Sequence, residues 1–232
     1  MVRYEKQWQV ARQRIEAARE RAGRPPGAVR LLAVSKTFPA EAIRAVHGLG
    51  QRAFGENYVQ EARRKRDELA DVDDLEWHLI GPLQSNKARA AAACFDWVET
   101  IDRPQIAERL AAACALTQRP LQVLVQVNVS GESSKHGVAP EAALALARGV
   151  CALPALHFRG IMGIPEATPD RARLRDQFRR LKACYDACAD AGLAVDTLSM
   201  GMSADLELAI EEGATQVRLG TAIFGVREPV GA

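Results

Sequence analysis

Lys36 closes the run V-R-L-L-A-V-S-K at 29–36, and Pro39 stands just beyond it. Such a run reads as a buried strand that ends on an amine. A lysine at the rim of an apolar core is partly desolvated, and a nearby cation adds to the effect. Both lower its pKa and free the lone pair to condense with an aldehyde. Two late turns offer different chemistry. S-M-G-M-S-A-D at 199–205 leads into a helical pattern with Ser203 at a natural N-cap, and G-T-A-I-F-G at 220–225 opens another short helical turn. Unpaired amides at such starts, with the hydroxyls of Ser203 and Thr221, suit a phosphate, and Gly220 lets the backbone approach it. The plainer reading is that Ser203 caps its helix and Gly220 turns the chain. Arg218, in V-R-L at 217–219, faces away from both its neighbours. Pointing inward it needs a ligand acceptor or a carboxylate on an adjoining strand. Amine, guanidinium and phosphate cradle together fit a phosphorylated aldehyde whose ring carries an acceptor.

The elements that must position these groups alternate. Short apolar runs fall at 29–35, 52–55, 77–81, 97–101, 123–128, 156–162, 197–200 and 217–219. Helical patterns fall between them at 39–47, 57–69, 85–93, 104–115, 140–150, 171–191 and 203–211, and an amphipathic helix at 8–22 precedes them all. Alternation of this kind implies a parallel sheet, since parallel neighbours need a crossover. Eight repeats in a chain of 232 residues fit a closed barrel with little insertion. An open doubly wound sheet is the alternative, but the turn after the first run, S-K-T-F-P, has none of the glycines of a dinucleotide fingerprint. The expectation is α/β: a single (β/α)8 TIM barrel over 29–226 with an extra N-terminal helix within 1–24, one domain across 1–232. In a barrel the site forms at the C-terminal ends of the strands. Strands one and eight are then neighbours, which brings Lys36 and Arg218 together.

Composition narrows the partners. A formal net charge of +2 gives no broad field for nucleic acid, and no apolar run approaches the length of a membrane span. The start M-V-R-Y-E-K-Q-W lacks the apolar block of a secretory signal, and the five cysteines are odd in number without C-x-x-C spacing, so the expectation is a cytoplasmic chain with reduced thiols. The basic runs R-R-K-R at 63–66 and R-A-R-L-R at 171–175 read as solvated helix faces, and His78, His136 and His157 are too scattered for a metal.

Motifs along nearly the whole chain, in order, resemble the pyridoxal phosphate homeostasis protein family: L-L-A-V-S-K-T at 31–37, F-G-E-N-Y at 54–58, W-H-L-I-G-P-L-Q-S-N-K at 77–87, V-N-V-S-G-E-S-S-K at 127–135, R-G-I-M-G-I-P at 159–165, L-S-M-G-M-S-A-D at 198–205 and V-R-L-G-T-A-I-F-G at 217–225. The resemblance implies the alanine-racemase type of barrel without that class's second domain. It implies pyridoxal 5'-phosphate as the cofactor, carried by Lys36 as an imine. Arg218 would face the pyridine nitrogen, and Ser203, Gly220 and Thr221 would hold the phosphate. Asn57 and the Met162-Gly163 turn would line the cofactor. Phe38 departs from the polar or basic residue expected beside Lys36, and Lys135 is either a secondary contact or a solvated loop lysine.

Arginine stays protonated, so beside a pyridine nitrogen it discourages ring protonation and weakens the ring as an electron sink. Racemisation needs acid or base groups on both faces of the substrate carbon. Of the tyrosines Tyr4, Tyr58 and Tyr185, only Tyr58 falls near the expected site. The sequence therefore favours a protein that holds and delivers the cofactor inside the cell, without catalysis of its own. The alternatives are an amino-acid racemase of the alanine-racemase class and a cofactor-free lysine aldolase. Dependent apoenzymes are the expected partners, with no specific nucleic acid, no membrane and a monomeric state.

Overall fold

The computed structural model describes residues 4–132 and 135–226. Residues 1–3 of the expected N-terminal segment, 133–134 of the S-G-E-S-S-K loop and the tail from 227 lie outside the described residues. The strands are β1 Arg30–Val34, β2 Ala53–Glu56, β3 Glu76–Leu79, β4 Trp97–Ile101, β5 Leu121–Val127, β6 Leu156–Gly163, β7 Thr197–Ser199 and β8 Gln216–Leu219. The helices are α1 Glu5–Arg21, α2 Ala40–His47, α3 Val59–Glu68, α4 Ala88–Cys94, α5 Pro104–Thr117, α6 Ala143–Cys151, α7 Arg171–Asp190, α8 Leu206–Glu211 and α9 Thr221–Phe224. Each strand pairs in parallel with the next, and β8 closes on β1, so the sheet is the expected barrel.

Alternation along each strand sorts side chains into two layers. On β1, Leu31 and Ala33 join the large core between sheet and helices, while Leu32 pairs in register with Arg218 and faces the lumen with it. Trp97, Leu124 and Met162 form a separate apolar cluster inside the barrel. The short β7, bounded by the turns around Gly192 and Gly201, still supplies a lumen position at Ser199.

The N-terminal helix α1 buries Ala11, Ile15 and Ala18, as its apolar stripe requires. Arg14 on its outer side donates to both oxygens of Glu207 at 2.8 and 3.0 Å and to the Ser203 carbonyl at 3.1 Å. The helix thereby buttresses one of the late turns. Cys184 and Cys188, one helical turn apart on α7, both face the core as their spacing implies.

One position of the basic runs departs from expectation. Lys65 of R-R-K-R is fully buried, because helical periodicity turns that position inward against the sheet. The run at 171–175 keeps its arginines on the solvated face of α7, where Arg175 pairs with Glu211 and Glu212, and Arg173 with Glu166.

Candidate functional site

A cavity of about 550 Å³ opens at the C-terminal ends of the strands. Lys36, Asn57, Ser203, Arg218, Gly220 and Thr221 all line it. Lys135 lines it too; its Nζ reaches Glu132 Oε1 at 2.8 Å and the Pro165 carbonyl at 3.3 Å. Phe38 forms part of the wall and leans on Phe224, ring centres 5.1 Å apart. Met162 and Gly163 are not among the lining residues. Met162 is fully buried in the lumen cluster beneath, and Gly163 acts through its carbonyl, which accepts from Arg218 at 2.9 Å; Ile164 lines the cavity in their place. Tyr58 is exposed and turned away, Tyr4 packs on Phe224, and Tyr185 donates to the Val195 carbonyl at 3.2 Å.

Arg218 points inward, as the ligand reading requires, yet it also has carboxylate company. Its Nη1 donates to the Ser199 carbonyl at 2.7 Å and to Ser199 Oγ at 2.8 Å. Ser199 Oγ in turn donates to Glu99 Oε2 at 2.6 Å. Burial pushes the arginine's pKa down, and the charges of Glu99 and Asp205 oppose that.

Beneath Arg218 the lumen holds a polar column that sequence reasoning missed. Glu99 Oε1 meets His78 Nδ1 at 2.7 Å and accepts from Gln216 Nε2 at 2.7 Å. His78 Nε2 bonds Glu76, and Glu76 also bonds Arg30. Burial pushes His78 down, but its bonds to Glu76 and Glu99 outweigh that and hold it above its ordinary value. Burial likewise works against the Glu99 carboxylate, and His78, Arg218 and Ser199 reverse the effect, leaving it below the usual range. Charges therefore alternate up the axis: Arg30, Glu76, His78, Glu99, Arg218. The signal available in the sequence was a glutamate inside the apolar run W-V-E-T-I and a histidine inside W-H-L-I. Both fall at lumen positions once the strand parity is set.

Ser203 does not cap α8, whose N-cap position is Asp205. Its Oγ instead accepts from the Ala222 amide at 3.3 Å, in the first turn of α9. The hydroxyl thus ties the two late turns together. Asp205 Oδ1 accepts from the Met202 amide at 2.5 Å and so shapes the same turn. Gly81 explains how the loop after β3 reaches the cavity: a Cβ there would lie 2.2 Å from the Asn57 carbonyl oxygen, so only glycine allows that approach.

Lys36 sits at the second position of a β-turn closed by the Phe38 amide and the Ser35 carbonyl at 3.0 Å. Thr37, the third residue, has a φ of 70°. Turns with that feature normally carry glycine or asparagine there, and a β-branched residue is strained by an order of 1–3 kcal/mol.

The model of the alanine racemase N-terminal domain family matches residues 9–228. The pyridoxal phosphate homeostasis protein of Pseudomonas aeruginosa is 55% identical over 215 residues, covering 93% of this chain and 92% of that protein. The chain belongs to the pyridoxal phosphate homeostasis protein family. The Escherichia coli protein of the same name is 47% identical over 219 residues, 94% of each chain. The solved structure of PipY of Synechococcus elongatus with pyridoxal phosphate bound superposes with a TM-score of 0.81 at 40% identity, covering 91% of this chain and 100% of that one. An alanine racemase from Clostridium difficile shares the fold at a TM-score of 0.76 and 13% identity; the match covers 94% of this chain and 57% of the racemase. The barrel of the family is therefore also the barrel of the racemase class.

Proposed function

We propose that this protein binds pyridoxal 5'-phosphate reversibly through Lys36 and holds or delivers it inside the cell, as a homeostatic carrier. The cavity carries the reading: Lys36, Lys135 and Arg218 line it, and no aspartate or glutamate is among its described lining residues. A site of that charge favours an anion, and a primary amine within it favours one with a reactive carbonyl. The residues fit the group. The volume suits a ligand of this size. Arg218 is buried, anchored from below and presented to the cavity. The tied turns of Ser203, Gly220 and Thr221 offer hydroxyls and amides for a phosphate.

When bound, the cofactor supplies an aldehyde and a pyridine ring. Lys36 contributes the primary amine, whose condensation with an aldehyde releases one water and reverses by hydrolysis. Arg218 keeps its proton and, from its anchored position, would face the ring nitrogen as a donor. Ser203, Gly220 and Thr221 would hold the phosphate, and Asn57 would line the ring. Met162 lies buried beneath the cavity floor, and the Gly163 carbonyl holds Arg218. None of these groups supplies the paired acid and base that racemisation requires.

The carrier serves pyridoxal phosphate-dependent apoenzymes as a monomer in the cytoplasm. The five cysteines are all unpaired, which suits a reducing compartment, and exposed large apolar residues such as Val10, Tyr58 and Leu116 stand on different elements. No helix among the described residues is long and apolar enough to cross a membrane.

Purified protein mixed with the cofactor turns yellow, and borohydride fixes the label on the Lys36 peptide. Lys36→Ala stays colourless and fails to reactivate an apoenzyme that the wild type reactivates. A colourless wild type, or a label on another lysine, would sink the reading.

A further inference from the structure

Behind the turn that carries Lys36 lies a buried ionic cluster outside the cavity. Lys36 lines the cavity, whereas the side chain of the buried Ser35 turns the other way, to Glu56. Lys65, fully buried on α3, donates to the Ser35 carbonyl at 2.9 Å, to Glu56 Oε1 at 2.7 Å and to Glu61 Oε1 at 2.8 Å. Ser35 Oγ donates to the same Glu56 oxygen at 2.6 Å, and the Thr37 amide donates to the same Glu61 oxygen at 2.5 Å. The peptide groups on both sides of Lys36 are therefore held by one cation and its two carboxylates. Glu56 Oε2 is buried without a hydrogen-bond partner among the described residues, so the cluster is not built for stability alone. The turn it grips has neither proline at its second position nor glycine at its third, and local propensity does not favour it.

We propose that Lys65 is a positioning residue for Lys36: its ammonium, held by Glu56 and Glu61, fixes the strained Ser35–Phe38 turn and so aims the Lys36 side chain into the cavity. The role of Lys36 toward an aldehyde rests on the function proposed above; the clamp on its backbone does not. A small misplacement of a reacting group is enough to slow it by an order of roughly ten- to hundredfold.

The test separates charge burial from clamping. Lys65→Met alone strands Glu56 and costs stability. The double variant Glu56→Gln/Lys65→Met removes the two fully buried charges together, leaves the partly exposed Glu61 on the Thr37 amide, and is expected to melt near the wild type. Glu56→Gln alone keeps the bonds from Lys65 to Ser35 and Glu61. Competitive acetylation read by mass spectrometry gives the reactivity of Lys36 relative to Lys6 and Lys87 without any cofactor. Imine formation with pyridoxal phosphate, followed by absorbance and borohydride trapping, gives the second reading. The expected result is a folded double variant in which relative acetylation of Lys36 changes several-fold and imine formation slows about tenfold or more. Glu56→Gln stays within about twofold of wild type in both, as an unbroken clamp implies. A folded double variant with wild-type Lys36 acetylation overturns the proposal. If the wild type forms no imine, the carrier reading fails, and acetylation alone decides the clamp.

Discussion

Removing the Glu99 carboxylate tests the polar column that carries Arg218. Glu99 is fully buried and meets His78, Ser199 and Gln216, with Arg218 one hydroxyl further on. Glu99→Ala leaves the buried imidazolium with Glu76 as its one carboxylate partner and takes a counter-charge from the buried guanidinium. Breaking a buried pair costs about 3–5 kcal/mol. At about 2–4 °C per kcal/mol for a chain of this size, the melting temperature should fall by about 6–20 °C. Glu99→Gln keeps the shape and some of the bonds, so its cost is smaller, about 1–3 kcal/mol. The pH dependence gives the sharper check. His78 is held above its ordinary 6.5, so its contribution is complete below that value and fades as pH rises through the folded value. Glu99 is held below its ordinary 4.5, so its contribution is complete above that value and fades as pH falls through the folded one. Urea unfolding of wild type and Glu99→Ala across pH 4 to 10 should show the widest gap between about 4.5 and 6.5, narrowing on both sides. A gap under about 1 kcal/mol at neutral pH, or one of constant size from pH 6 to 10, would refute the charged column.

Gly81→Ala forces a Cβ against the Asn57 backbone, while Thr100 Oγ1 holds the Gly81 carbonyl at 2.9 Å from the other side. A loss of about 1–3 kcal/mol in urea unfolding and weaker cofactor uptake are expected, and neither would appear if the loop moved freely. Thr37→Gly relieves the positive φ but adds unfolded-state entropy, so the expected net is a gain of up to about 2 kcal/mol; a loss would show that the turn is unstrained. Arg218→Lys cannot hold Ser199 and Gly163 with one planar fork, so equilibrium dialysis should show about tenfold weaker retention of pyridoxal phosphate. Exchange of amino-acid α-hydrogens in deuterated water should not exceed that of the free cofactor, and a clear excess would turn the carrier into an enzyme.

The barrel was legible because strand and helix periods alternate cleanly, and every expected strand has its counterpart within a few residues. β7 is only three residues long and still emerged from T-L-S-M, since the turns around it are rich in glycine. The cavity lining at Lys36, Asn57, Ser203, Arg218, Gly220 and Thr221 followed from one rule about strand ends. Three kinds of error were physical. Ser203 looked like a helix cap because hydroxyls at that spacing usually serve their own helix, whereas here the acceptor is used across two loops. Met162 looked like a wall because its strand ends nearby, whereas lumen parity buries it under the floor. Lys65 looked solvated because three arginines surround it in sequence, and only the helix phase shows that it faces the sheet.

That last error bears on how Lys36 is held where it stands. Adjacent residues on a strand face opposite layers, so a side chain aimed into the lumen always has neighbours aimed at the helices. Here the sequence uses both directions at once. Lys36 lines the cavity, while Ser35 and the Thr37 amide turn back to meet a charge cluster shared by β2 and α3. Arg218 repeats the arrangement within the lumen, held from beneath by Ser199 and the Gly163 carbonyl. Lys36 and Arg218 are therefore each fixed by polar groups behind them that do not line the cavity. Amine and guanidinium are thus positioned by contacts within the protein itself, which lowers the ordering cost that binding would otherwise carry.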